Sequence, residues 1–198
     1  MASDARRAVS RFPDRLDTER LFLRPPGLRD ARAIAKAVNA SAAELGEWMP
    51  WAQETYNLQD AVAFVEAAGR KLRAEEEFTT VMVSRQRRAF VGCCTLSVRD
   101  WRVPKFEIGY WLRSDRVGRG FASEATHALA RFAFESLAAA RVEIRVDDRN
   151  ARSWAVAERL GFAWESTLKA NERGNDGSLR DTRIYALFDP HRLREGSA

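Results

Sequence analysis

Cysteine is almost missing from this chain: there are two, Cys93 and Cys94, side by side. Neighbouring residues on a strand point to opposite faces, so the pair suits neither an ordinary disulfide nor a metal site. A reducing compartment is therefore expected. Histidine is equally scarce. His127 falls inside a helical pattern and His191 near the end of the chain, so neither completes a Ser-His triad, and no metal is expected. No stretch approaches the roughly 18 apolar residues of a membrane span. The first residues carry Asp4, Arg6, Arg7 and Arg11 without the apolar centre of a secretion signal. The expectation is a cytoplasmic protein with no membrane partner. No repeat or low-complexity linker appears, and charge that is scattered rather than blocked argues against a basic tail.

What is present is a 198-residue chain with a net charge of +5, its positive residues nearly all arginine. That excess suits nucleic acid, an acidic partner or a polyphosphate ligand, and equally an arginine-rich composition with no function attached. The charges are scattered, and aromatic and basic residues do not interleave on one strand, so nucleic acid is not expected. Leu21-Phe22-Leu23 reads as a first strand, closed by Pro25-Pro26-Gly27. Residues 30–38 read as a helix and a second helix starts at Asp60, with a less regular stretch holding Trp48-Met49-Pro50-Trp51 between them. Residues 78–83 and 90–98 form an antiparallel pair about a charged turn, and 106–112 the next strand. A long helix follows, then a strand at 142–146, a helix from about Ala151 to Leu160 stopped by Gly161, and strands around 162–168 and 182–187. The order describes one α/β (α+β) domain with a mixed sheet. Its bounds are a flexible segment at 1–16, the domain at 17–190 and a tail at 191–198.

The most informative stretch is Arg116-Val117-Gly118-Arg119-Gly120-Phe121-Ala122-Ser123-Glu124-Ala125, between the apolar run 108–112 and a helical pattern. Glycines let backbone pass close to a ligand, while a helix start offers unpaired N–H groups and partial positive charge. Such a turn suits a phosphorylated cofactor. It is not a Walker loop, because no Gly-Lys-Ser/Thr follows. A Rossmann turn nearly fits, with Asp147 or Asp148 as the ribose acid, but that turn belongs on the first strand of its domain and here several strands precede it.

Glu107-Ile108-Gly109-Tyr110-Trp111-Leu112, the glycine turn, Asn150-x-x-Ser153 and Leu160-Gly161-Phe162, in that order, resemble the GNAT acetyltransferases. Within them the chain most resembles the ribosomal-protein N-terminal (serine/alanine) acetyltransferases, whose opening strand Thr18-Glu19-Arg20-Leu21-x-Leu23-Arg24 also matches. The resemblance runs over residues 17–188. One position departs: the family often has Gln or Arg three residues before the glycine at 120, and Val117 stands there.

The resemblance implies a mostly antiparallel sheet of about seven strands, splayed in a V between the fourth and fifth, with about four helices. It implies acetyl-CoA as cosubstrate and an amine acceptor, either a peptide or protein N-terminus or a small molecule; a homodimer stays open. The pyrophosphate would rest on backbone N–H groups of Gly118, Arg119, Gly120, Phe121 and Ala122, with Arg116 or Arg119 supplying the charge missing at Val117, and Arg116, Val117 and Ser123 completing the cofactor-binding turn. The pantetheine arm would line the strand edge at Tyr110, Trp111 and Leu112, where a bulge opens the cleft, with Asn150 bonding its amides. A backbone N–H near Trp111 or Leu112 would polarise the thioester. The protonated acceptor needs a base, with Glu107 first, Glu143 second and Glu172, beyond the sixth strand, third. Ser153 would protonate the leaving thiolate, although Asn-x-x-Ser is also ordinary helix capping. Trp48-Met49-Pro50-Trp51 would border the acceptor, or pack in the core. Two other readings remain: an acetyl-CoA-binding sensor without turnover, and an arginine-rich nucleic-acid-binding module.

Overall fold

The computed structural model describes residues 12–52 and 55–196. Eight strands form one sheet in the order β1-β2-β3-β4-β5-β6-β8-β7. They are β1 (Leu16–Asp17), β2 (Leu21–Arg24), β3 (Glu77–Ser84), β4 (Phe90–Asp100), β5 (Lys105–Leu112), β6 (Arg141–Asp147), β7 (Ala163–Arg173) and β8 (Leu179–Leu187). Five helices accompany them: α1 (Ala31–Ala40), α2 (Ala42–Trp48), α3 (Leu58–Arg73), α4 (Phe121–Leu137) and α5 (Ala151–Arg159). Every neighbouring pair runs antiparallel except β5 and β6, which are parallel. No helix among the described residues is long and apolar enough to cross a membrane.

Strand alternation divides the interior into two cores. On one face Leu21, Leu23, Cys94, Leu96 and Ile108 pack against Leu129, Phe132 and Ala133 of α4 and Val156 of α5. On the other, Val81 and Cys93 pack against Ile34 and Val38 of α1 and Val65 of α3. Cys93 and Cys94 thus serve opposite faces. Burial pushes both thiols up, Cys94 to about 12, so neither is a thiolate at neutral pH.

Helix starts follow their caps. The Asn57 side chain accepts from the Gln59 N–H at 2.7 Å and the Asp60 N–H at 3.1 Å, while the Asp60 carboxylate accepts from the Asn57 N–H at 2.8 Å. Arg24, at the end of β2, makes a two-pronged pair with buried Asp30 just before α1, both contacts at 2.7 Å. That clamp ties strand to helix.

Several details differ from the sequence reading. The irregular stretch after α1 holds α2, and a two-residue β1 adds an eighth strand. The ordered chain begins before residue 17: Phe12 is buried, edge-on to Phe132 at 4.9 Å and stacked on Phe78 at 5.6 Å. The tail is not free either. Leu193 packs on the first core, and the Arg194 N–H donates to the Leu160 carbonyl at 3.0 Å. The sixth strand of the sequence reading is longer than expected, so Glu172 lies within β7 rather than beyond it.

Candidate active site

Parallel pairing between β5 and β6 lasts three residues, Lys105 with Arg141, Phe106 with Val142 and Glu107 with Glu143. Beyond Glu107 the strands part. β5 stays paired with β4 to Leu112, and β6 with β8 to Asp147. A cleft of about 540 Å³ opens between them. No bulge in β5 produces it, since the β4–β5 register runs unbroken from Leu112 to Phe106. The irregularity sits in β4, where the register with β3 slips beside Gly92. A Cβ on Gly92 would lie 2.1 Å from the Trp111 carbonyl oxygen and 2.8 Å from the Leu112 Cα. Only glycine lets the end of β5 press this closely onto β4, away from β6.

At the end of β5 the chain makes a short turn at Ser114–Arg116 and reaches Gly118 and Gly120, both left-handed with φ of 76° and 75°. α4 starts directly after. A Cβ on Gly118 would touch nothing within 4 Å, so the space before the turn is open. Val117 and Arg119 are exposed there. Arg116 is largely buried beside Asp115, at 3.4 Å, and its Nε has no hydrogen-bond partner among the described residues. The Ser123 side chain turns inward and accepts from Arg159 of α5 at 3.0 Å, which leaves only its backbone to face a ligand. Glu124 is a structural anchor. Its carboxylate accepts from the Thr18 hydroxyl at 2.6 Å, the Arg20 N–H at 2.7 Å and the Arg20 guanidinium at 2.7 Å. Arg20 in turn donates to the Arg119 carbonyl at 2.9 Å, so β2 is tied to the glycine turn.

The three carboxylates proposed from sequence all line the cleft, in different states. Glu143 is 1% exposed and held by Arg141 at 2.8 Å and Lys105 at 3.3 Å. With Arg145 also at 4.0 Å, both carboxylate oxygens face cations rather than open space for an amine. Glu107, its partner on the last paired rung, accepts from the Arg99 Nε and Nη2 at 3.0 and 2.7 Å through one oxygen only. Burial pushes Glu107 above the ordinary glutamate value, against the lowering pull of Arg99. Glu172 forms no ion pair among the described residues.

Across the cleft, Asn150 caps α5 by accepting from the Ser153 N–H at 3.1 Å. This leaves the Ser153 hydroxyl for other work. It donates to the Tyr110 hydroxyl at 3.0 Å, which donates to the Ser153 carbonyl at 2.8 Å. The sequence reading used only the backbone of Tyr110. Its hydroxyl, with a pKa pushed up by burial, joins β5 to α5 across the opening.

The far rim is built from parts the sequence does not connect. Arg180 donates to Asp147 at 3.0 Å and to the Glu47 carbonyl at 3.1 Å, and its guanidinium covers the Trp48 ring at 5.6 Å. Asn175 donates to the carbonyls of Gly46 and Met49. The turn between β7 and β8 is thereby fastened to the end of α2. Trp48, Met49 and Pro50 face the cleft, whereas Trp51 packs edge-on to Trp111 and Tyr56, each at 5.9 Å.

A family profile described as Acetyltransferase (GNAT) domain matches residues 20–163, spanning the parted strands, the glycine turn and α5. The uncharacterized N-acetyltransferase p20 of Bacillus licheniformis is 34% identical over 98 residues, 50% of this chain and only 54% of that protein's length. YdaF of Bacillus subtilis, provisionally named a ribosomal N-acetyltransferase, is 27% identical over 160 residues, 81% of this chain and 86% of its own. Among solved structures, Mycobacterium smegmatis RimJ in complex with CoA-disulfide superposes with a TM-score of 0.84 at 25% identity, covering 93% of this chain and 92% of that one. A homodimer gains no support from these comparisons.

Proposed function

Because this chain belongs to the acetyltransferase (GNAT) family, we propose that it moves the acetyl group of acetyl-CoA directly to a primary amine, with a peptide or protein N-terminus as acceptor. The observation that carries the reading is the parting of β5 from β6 after Glu107, ending at a left-handed glycine turn with open space before it. A solved relative binding CoA-disulfide supports the cosubstrate, and the name of YdaF supports a protein amine.

The residues fit the parts of such a ligand. Backbone N–H groups of residues 117–122, at the positive end of α4, suit a diphosphate, and Arg116, ion-paired with Asp115 at 3.4 Å, lies just before them. The edge of β5 from Ile108 to Leu112, without a β6 partner, suits an extended amide-bearing arm. In the reaction Glu107 takes a proton from the ammonium, directly or through water. The amine nitrogen then bonds to the thioester carbon as the carbon–sulfur bond breaks, the thiolate takes the proton of Ser153, and the surplus proton shed by the new amide nitrogen returns through water to Ser153. With both thiols buried and protonated, transfer needs no acyl-enzyme on cysteine.

Glu172 is the second reading for the base, because it lines the same cleft and forms no ion pair among the described residues. Thiol release from acetyl-CoA, measured against a panel of short peptides and small amines, tests both. Glu107→Gln should lower kcat by about a hundredfold or more while CoA affinity holds. If Glu172→Gln shows that loss and Glu107→Gln does not, the base is Glu172. No thiol release with any amine, despite CoA binding, makes the chain a sensor rather than an enzyme.

A further inference from the structure

Arginines scattered through the sequence come together on one patch of the surface. Phe22 sits on the face of β2 opposite buried Leu21 and Leu23, and three guanidiniums lie over its ring. Arg15, just before β1, is 4.6 Å from the ring centre. Arg85 and Arg88, from the turn between β3 and β4, are at 4.9 and 5.1 Å. Arg87 is exposed on the same turn.

The arrangement is fixed and undercompensated. Arg85 donates to the Thr18 carbonyl at 2.8 Å, holding the turn against the start of β2. Among the described residues the carboxylate within ion-pair reach is Asp17, 2.9 Å from Arg15 and 3.5 Å from Arg85. Asp17 thus pairs with two of the four arginines, and Arg87 and Arg88 have no ion pair among the described residues. Bringing like charges together in water is unfavourable unless an anion joins them. The patch lies apart from the cleft, and neither Arg15 nor Arg85 nor Arg88 lines it.

We propose that this patch is a docking surface for RNA. A guanidinium fork matches phosphate oxygens two at a time, and its flat face, already layered on an aromatic ring, stacks with a base. A membrane surface fits less well, because none of the large exposed apolar side chains belongs to the patch and Phe22 is half-buried beneath the arginines. Docking here leaves the cleft and the glycine turn free, so the surface can place the enzyme beside an RNA-bound acceptor. The inference stands whether or not the acceptor named above is right.

The test is fluorescence anisotropy of a labelled 12-nucleotide single-stranded RNA with the full chain. Affinity should fall with salt, with a log–log slope of about −2 to −3 for three or four phosphate contacts. Arg85→Gln together with Arg88→Gln should weaken binding by about tenfold and flatten the slope by about 1.4. Thiol release should stay unchanged in that variant, and the unfolding temperature should fall by no more than loss of the Arg85–Thr18 hydrogen bond accounts for. Phe22→Leu, which keeps the apolar contact and removes the ring, should weaken RNA binding with the same salt slope. Undiminished RNA binding by the double variant overturns the proposal. So does tighter binding of poly-glutamate or of phosphatidylserine vesicles than of RNA.

Discussion

Alanine placed in turn at Gly92, Gly118 and Gly109 adds the same methyl at three points along one path and should give three different outcomes. At Gly92 the methyl meets backbone, 2.1 Å from the Trp111 oxygen, and backbone cannot rotate aside as a side chain can. Overpacking of this kind costs about 2–3 kcal/mol, which for a chain of this length lowers Tm by about 4–12 °C. The displaced residues, Trp111 and Leu112, form the end of β5 that has no β6 partner, so CoA affinity should fall as well. At Gly118 there is room but the wrong backbone angle: φ of 76° costs an L-residue about 1–2 kcal/mol. The methyl also projects into the open space assigned to the diphosphate. Gly118→Ala should therefore lose more CoA affinity than its smaller stability loss implies. At Gly109, φ is ordinary and nothing lies within 4 Å, so folding should be unharmed or improved by about 0.5–1 kcal/mol. Its methyl enters the cleft and should slow turnover. Differential scanning fluorimetry, calorimetric titration with CoA and thiol release separate the three. A Gly92→Ala protein with unchanged Tm and CoA affinity would refute the claim that close approach to β4 draws β5 away from β6.

Three further outcomes follow from named contacts. Glu107 must be ionised to accept a proton, and burial raises its pKa, so kcat/KM should fall on the acid side at a pH above the ordinary glutamate value; Arg99→Gln removes the opposing cation and should move that limb to higher pH, whereas an unmoved limb would clear Glu107 of the role. Ser153→Ala leaves the Asn150 cap intact, since the cap uses the backbone N–H, so Tm should hold while kcat drops by about a hundredfold or more; an unchanged kcat would make the hydroxyl a packing feature. Glu124→Ala strands the Thr18 and Arg20 donors at an 11% exposed site and should cost about 2–4 kcal/mol in thermal unfolding, while an unaltered Tm would show the anchor to be slack.

Strands were readable because alternation shows in short windows, and it put Cys93 and Cys94 on opposite faces before any coordinates. The glycine turn was readable because left-handed backbone leaves few choices of residue. α2 was not. It is seven residues long and carries Gly46, too short for helical periodicity to register. Phe12 was invisible for another reason: a lone aromatic in a polar segment carries no period, and its place was set by Phe78 and Phe132 far along the chain. The rim of the cleft joins residues 47, 147 and 180, and the arginine cluster joins residues 15, 22, 85 and 88, distances over which no spacing rule operates. Scattered charge in the sequence argued against a nucleic-acid surface. Three-dimensional proximity argues for one.

The same rung that ends strand pairing also sets the chemistry. Glu107 and Glu143 are direct partners in the parallel register, so their side chains leave the sheet on the same face. Arg141 and Lys105 pair with Glu143 at 2.8 and 3.3 Å. Burial is the chief cause that disfavours a negative charge on Glu107, and the neighbouring Glu143 adds a smaller push in the same direction. Arg99 opposes both, but binds only one carboxylate oxygen and is itself half-exposed, so the other oxygen stays available to an incoming amine. One residue further on, β5 loses its neighbour, and about half of the backbone groups from Ile108 to Leu112 face the cleft without a strand to satisfy them. In the proposed reaction a ligand with amides spaced along an extended arm would satisfy those groups and bring its thioester next to Glu107. Sliding the β5–β6 register by one residue would turn Glu107 to the opposite face, so strand register, more than any single side chain, links this fold to its proposed reaction.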